Sequence, residues 1–194
     1  MLRKQSVNAQ PIEVKNRAEL RLWFKQYAKT EDVCWVVCRR GKINSEGELS
    51  YLDVVEEALC FGWIDSTCRT YKNGQHLQRL SKRKRNSPWS ELNKARAKRL
   101  KELGLMTEAG EEALSNAKQF TIDEDIVLAF HNNPTAWNNF CKFPPLYQRV
   151  RIDTVQRDKK KISREVFEKR IAKLIENSEQ NKMFGLWNDD GLLI

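Results

Sequence analysis

The chain has 194 residues, a length typical of one domain or of one domain with a helical appendage. Its 40% hydrophobic residues, including six tryptophans, can fill a core, which excludes a disordered chain although 31% of the residues are charged. The net charge of +9 predicts attraction to polyanions such as nucleic acid, anionic lipid or phosphorylated metabolites.

No segment of the sequence predicts export or membrane insertion. The N-terminal MLRKQSVNAQPIEV lacks the apolar run of ~7–15 residues that a signal peptide needs. No apolar run approaches the ~18 residues of a transmembrane helix. We therefore expect a cytoplasmic protein with no integral membrane association. Five cysteines at irregular spacing and only two histidines predict neither a disulfide framework nor a metal site.

The first part of the chain predicts helices mixed with antiparallel strands. The predicted elements, in chain order, are a helix at 17–29, a strand at 33–40, a polar loop at 41–50, a helix at 51–61, and strands at 63–71 and 76–81. Asn73-Gly74 separates the last two strands. Because both residues tolerate positive φ, this pair predicts a β-hairpin.

The rest of the chain predicts only helices. Ser87-Pro88 is expected to open a helix, with Ser87 as its N-cap, that ends at Gly104. Thr107 is expected to cap the next helix, which ends near Lys118. Further helices are predicted at 123–131, 133–141, 146–156 and 163–177. The tail is predicted to be loose, with Phe184, Leu186 and Trp187 as the residues that could dock on the core.

These elements predict an α+β fold with three segments. We expect an α+β core at 10–120, a helical C-terminal extension at 121–180 and a tail at 181–194.

Three ordered motifs carry a resemblance to a known family. They are EEALCFGWIDS at 56–66, SKRKRNSPWSELNKARAKRL at 81–100 and GLMTEAGEEALSNAK at 104–118, and the residues at 126–175 add a looser similarity. Together they resemble the YdeI/OmpD-associated, or bacteriocin-protection, proteins. The resemblance implies a role in protection against bacteriocins or cationic antimicrobial peptides. It also implies a fold similar to the YjbR/CyaY-like proteins, in which helices pack on one side of an antiparallel sheet.

The densest positive charge lies in the segment from Arg79 to Lys101, where ten cationic residues oppose only Glu91. This segment is either a solvated helix face with a basic loop, or an anion site. In the second case, backbone N–H groups and the dipole at a helix N-terminus would add to the side-chain charges. The candidate residues for this anion site are Arg83, Arg85, Ser87, Trp89 and Ser90.

Asn93 and Arg96 fall within the apolar stripe of the helix predicted after Ser87. A buried charge needs a partner, and Asp65 is the expected counter-ion of Arg96. One interpretation is a buried Asp65–Arg96 pair that fixes the helix to the sheet. The other is a polar pocket with Asp65, Ser66, Asn93 and Arg96 on its floor and Arg83 at its rim.

The sequence predicts binding rather than catalysis. No Ser-His-Asp set, nucleophile elbow or Walker loop is present, so we predict no catalytic residues and no cofactor. The leading hypothesis is a non-enzymatic binding or stress-tolerance protein that engages an anionic ligand or macromolecule, such as nucleic acid or a phosphate compound. The alternatives are a dedicated nucleic-acid-binding module and a small-molecule enzyme using the Asp65/Arg96 pocket. The oligomeric state stays open.

Overall fold

The computed structural model describes residues 10–41 and 49–193. Within these residues the chain forms a three-stranded antiparallel sheet and eight α-helices, five of them in the C-terminal half. The strands are β1 (Val33–Cys38), β2 (Trp63–Thr70) and β3 (His76–Lys82). The helices are α1 (Arg17–Tyr27), α2 (Tyr51–Cys60), α3 (Glu91–Glu102), α4 (Glu108–Ser115), α5 (Glu124–His131), α6 (Pro134–Phe140), α7 (Pro145–Gln156) and α8 (Arg164–Glu179).

The α+β class, the antiparallel sheet and the helical C-terminal region are confirmed. The similarity to YjbR/CyaY-like proteins stays a prediction. Most of the loop predicted at 41–50 lies outside the described residues. No helix among the described residues is long and apolar enough to cross a membrane.

The described chain divides into two compact units. The sheet unit contains residues 10–41, 49–87 and 97–116, and the helical unit contains residues 88–96 and 117–193. The division falls within α3, so its first residues belong to the helical unit and its last residues to the sheet unit.

In the sheet unit, β3 lies between β1 and β2 and pairs antiparallel with both. The β2–β3 hairpin turns where predicted, with φ of 53° at Asn73 and 72° at Gly74. One face of the sheet packs against α1 and α2. The core includes Leu20, Phe24, Cys34, Val36, Val54, Ala58, Trp63 and Leu80.

The start of α3 differs from the prediction. The helix begins at Glu91, and the Ser90 hydroxyl accepts a hydrogen bond from the Asn93 N–H at 3.1 Å. Ser87 instead closes a turn, since its Oγ accepts from the Lys84 N–H and its own N–H donates to the Lys84 carbonyl. The prediction of Ser87 as N-cap is therefore wrong, because its hydroxyl accepts from the backbone N–H of Lys84 and not from an N–H of the helix.

The helical unit is built around an aromatic and aliphatic core. Its buried residues include Ile126, Phe130, Phe140, Tyr147, Phe167, Ile171 and Leu174. Two of the three predicted tail contacts are present, since Phe184 and Trp187 pack against this core. The prediction for Leu186 is wrong, because this side chain is 77% exposed.

Candidate functional site

The sheet unit contains an open cleft of about 890 Å³, here called the basic cleft. Its walls are α1 with the turn that follows it, the turn between α2 and β2, the segment 82–85 at the end of β3, and α4. Six cationic side chains line it: Lys25, Lys29, Lys82, Arg83, Lys84 and Arg85. Two carboxylates, Glu108 and Glu112, lie on the α4 wall. The cleft is therefore cationic on one side and acidic on the other, with an excess of positive charge.

Two glycines allow α4 to lie close enough to form a wall of the cleft. A Cβ at Gly110 would overlap the carbonyl oxygen of Cys60. Gly62 has φ of +73°, and a Cβ there would lie 2.6 Å from the Ala109 carbonyl oxygen. Thr107 completes the contact, because its hydroxyl donates to the Cys60 carbonyl at 2.6 Å while it caps α4. These contacts give a physical reason for Thr107 and Gly110, which are the Thr and the second Gly of the GLMTEAG motif.

Aromatic rings form the floor of the cleft. Phe24 stacks on Phe61 with ring centroids 5.1 Å apart, and Trp63 meets Phe24 edge to face at 5.4 Å. Phe24 and Trp63 are fully buried, whereas Phe61 is half-buried. The floor is thus part of the core, and Phe61, whose ring centroid lies 5.4 Å from the Arg21 guanidinium, is its most accessible ring.

The backbone of segment 82–85 is held at several points. The Arg83 N–H donates to the Gly62 carbonyl at 2.9 Å, and the Lys82 N–H donates to the Asp32 carbonyl at 3.1 Å. Lys84 is held by the Ser87 turn described above. A loop fixed in this way presents its side chains with little loss of backbone entropy when a ligand binds.

The three consecutive cations of this segment differ in their environment. Burial lowers the pKa of the Arg83 guanidinium to about 10, an effect that the negative charge of Asp65 partly offsets. Arg83 therefore remains protonated at neutral pH. Lys84 and Arg85 are exposed, and no carboxylate among the described residues forms an ion pair with either.

Most helical cations of the Arg79–Lys101 segment are neutralised within the protein. Lys94 pairs with Glu91, Arg96 with Asp189, Lys98 with Glu102, Arg99 with Glu56, and Lys101 with Glu111. The cations of this helix are thus bound mainly by the protein's own carboxylates, and one of them, Arg96, is buried. In segment 82–85, Lys82 pairs with Asp32 at 3.2 Å, so the positive charge available to a partner lies chiefly at Lys84 and Arg85.

The N-terminus of α3 is capped by the protein's own groups. The Asp153 carboxylate accepts from the Glu91 N–H at 3.2 Å, and Ser90 accepts from Asn93. Trp89, just before the helix, is half-buried. The binding role predicted for Ser87, Trp89 and Ser90 stays a prediction. Arg83 and Arg85 of the same predicted site line the basic cleft.

Arg96 does not use the counter-ion that the sequence suggested. Its Nε and Nη2 donate to the Asp189 carboxylate at 2.7 and 2.6 Å, and Nη1 donates to Asn93 Oδ1 at 2.8 Å. Asp65 instead accepts from the Tyr51 hydroxyl at 2.7 Å. The prediction of Asp65 as counter-ion of Arg96 is therefore wrong.

The residues of the predicted pocket are divided between the two units. Asp65, Ser66 and Arg83 belong to the sheet unit, whereas Asn93 and Arg96 belong to the helical unit. Ser66 is exposed, and its hydroxyl accepts from Arg79 at 3.2 Å.

A buried ionic cluster escaped the sequence analysis. Glu56 and Glu57 of α2 are 2% and 1% exposed, and three arginines hold their carboxylates. Arg17 binds both carboxylates, Arg21 binds Glu57 at 2.9 Å, and Arg99 binds Glu56 at 3.1 Å. A signal was present, because two adjacent acids interrupt the apolar run of α2. This network ties α1 and the end of α3 to α2.

The cluster and the cleft offer no metal site. No group of His, Cys, Asp and Glu in the part of the chain that the structure describes could hold a metal ion. Lys25 and Lys29 of the cleft were also missed from the sequence, although both fall within the helix predicted at 17–29; in the structure Lys25 lies in α1 and Lys29 in the turn that follows it.

Two family models match the chain. Residues 12–113, slightly more than half of it, match a family described as a domain of unknown function (DUF8412). Residues 119–181 match the family described as bacteriocin-protection, YdeI or OmpD-associated (OmdA). The predicted family resemblance is thus confirmed, but over residues 119–181, whereas the motifs quoted for it lie at 56–118. No curated protein and no solved structure matches the chain.

Proposed function

We propose that this chain, which belongs through residues 12–113 to the DUF8412 family, is a binding protein whose basic cleft takes an anionic partner. The observation that carries this proposal is the set of six cations above an aromatic floor. Lys84 and Arg85 are the main contacts, because they are exposed and form no ion pair among the described residues. A non-enzymatic role in stress tolerance is the broader context, in line with the match of residues 119–181.

The cleft suits phosphate groups on an extended partner. Lysine and arginine contact phosphate oxygens, and arginine does so with two donors at once. An extended ligand can place successive phosphates along the segment 82–85 while another of its groups reaches Phe61. The carboxylates of α4 keep anionic groups on the opposite wall, which orients the ligand.

Nucleic acid is the second candidate, and the same surface supports it. A basic strip beside an accessible ring is the combination that single strands use, with phosphates on the cations and a base at the ring. Here the ring is the half-buried Phe61. The enzyme alternative rested on Asp65 facing Arg96. With Arg96 bound to Asp189 and Asp65 bound to Tyr51, nothing further supports it.

The experiment is a titration of labelled inorganic polyphosphate and labelled single-stranded DNA and RNA at about 50 mM salt, repeated at higher salt. The double variant Lys84→Gln/Arg85→Gln should reduce the salt slope of the affinity by about 1 for every phosphate that these two side chains neutralise. The matched control is Lys98→Gln/Lys101→Gln, which removes the same charge from the same segment but outside the cleft.

Binding of polyphosphate and nucleic acid alike supports a general anion cleft, and binding of nucleic acid alone supports the second candidate. The proposal fails if none of the three probes binds. It also fails if both double variants weaken binding equally, because the net charge rather than the cleft would then be responsible.

A further inference from the structure

The helical unit contains a second, oppositely charged surface, here called the α5–α8 groove. It has a volume of about 580 Å³. Its floor is apolar and consists of Leu128, Ala129, Ile171, Ala172 and Ile175. Leu128 is 57% exposed, although it lies beside buried core residues of the same helix.

The rim of the groove is acidic. Asp125, Glu168, Glu176 and Glu179 line it, and Arg164 is the only cation among its described lining residues. Arg164 pairs with Asp125 and with Glu168, both at 2.7 Å, and Lys159, which does not line the groove, pairs with Asp125 at 2.8 Å. Glu176 and Glu179 form no ion pair among the described residues. The rim therefore keeps a net negative charge in a chain whose overall charge is +9.

Glu176 and Glu179 are placed where the helix itself disfavours them. Both lie near the C-terminal end of α8, where the aligned peptide dipoles leave partial negative charge. No basic residue occupies the last turn, and neither carboxylate forms an ion pair among the described residues. An external cation would relieve this repulsion.

The shape of the groove favours a helix as the occupant. The α8 residues that line it recur three and four positions apart from 164 to 179, which forms a continuous stripe along the helix. A third helix packs into such a valley by placing its ridges in the groove between the first two. The stripe is about 24 Å long at 1.5 Å per residue, which matches a partner helix of four or more turns.

We propose that the α5–α8 groove binds a basic amphipathic helix of a protein partner. Its apolar face lies on Leu128 and Ile175, and its Lys or Arg side chains pair with Glu176 and Glu179. Charge complementarity selects this partner, because the rest of the protein repels cations and the rim attracts them. The proposal concerns a different surface from the basic cleft and does not depend on it.

The test uses a labelled amphipathic helix of about 18 residues composed of Leu and Lys, followed by fluorescence anisotropy with the full chain. A Leu/Glu helix and a Leu/Lys peptide of scrambled order are the comparison probes. We expect binding of the amphipathic basic helix only, and weaker binding as salt is added.

Two pairs of variants locate the site. Glu176→Gln/Glu179→Gln should weaken binding roughly three- to tenfold, as expected for two partly exposed ion pairs, whereas Glu124→Gln/Glu165→Gln should not. Leu128→Gln should weaken binding, whereas Val127→Gln should not. Val127 is a fair control, because it is 53% exposed on the same helix but does not line the groove.

The proposal is overturned if the basic helix does not bind, or if the Leu/Glu helix binds equally well. It is also overturned if Glu176→Gln/Glu179→Gln leaves the affinity unchanged. A dimer in light scattering that Leu128→Gln dissociates would equally overturn it, because the occupant would then be a second copy of this chain.

Discussion

Replacing Asp189 with Asn should destabilise the helical unit by about 3 kcal/mol, because it removes the carboxylate that binds the buried Arg96 guanidinium. The two side chains are 11% and 8% exposed, so water can replace little of the broken interaction. Breaking a buried pair costs about 3–5 kcal/mol, and Asn keeps one acceptor oxygen, which gives the lower end of that range. Asn also tolerates the left-handed backbone at this position, where φ is 49°, so backbone strain does not contribute.

The measurement is urea unfolding followed by tryptophan fluorescence, with Asp65→Asn as the matched control. Asp65 accepts one hydrogen bond from Tyr51, and its charge also acts on the Arg83 guanidinium, so this change should cost only about 1–2 kcal/mol. A double-mutant cycle with Arg96→Gln should show strong coupling to Asp189. The reasoning is refuted if Asp65→Asn costs as much as Asp189→Asn, or if Arg96 and Asp189 prove additive.

Three further predictions concern packing, charge and thiols. Gly110→Ala should destabilise the sheet unit by about 1–3 kcal/mol in urea unfolding, because its methyl group meets a backbone carbonyl; an unchanged midpoint would contradict this. Glu176→Gln/Glu179→Gln should raise the melting temperature slightly by removing repulsion at the end of α8; a clear decrease would mean that the carboxylates support the fold. Burial raises the pKa of the Cys34 thiol to about 12 from an ordinary 9.0, so its contribution to stability is full below pH 9 and is lost as the pH rises towards 12. A thiol reagent at neutral pH should accordingly modify the exposed Cys141 in the native state and Cys34 only after unfolding.

Local features of the fold could be predicted from the sequence, because neighbouring residues determine them. The hairpin at Asn73-Gly74 and the caps at Thr107 and Ser163 depend on the conformational preferences of one or two residues. The start of α3 could not be predicted in this way. Ser87 and Ser90 are equally suitable N-caps by residue type, and only the hydrogen bond between Ser87 and Lys84 decides between them.

The partners of the site residues could not be predicted, because they depend on tertiary packing. Asp189 is 93 residues from Arg96 and lies in a segment predicted to be a loose tail. The sequence indicated that Arg96 needs a carboxylate but did not identify it. The segment 82–85 was recognised from its charge, whereas Lys25 and Lys29 became part of the site only once α1 was placed beside it.

The most direct test of the central claim is to find where an anion contacts the protein. Inorganic polyphosphate titrated into the ¹⁵N-labelled chain at low salt should shift the amide signals of residues 82–85, Phe61 and Gly62, which line the basic cleft. The signals of α5 and α8 should not move. Shifts confined to other surfaces, or no shifts at all, would contradict the assignment of the basic cleft as the binding site.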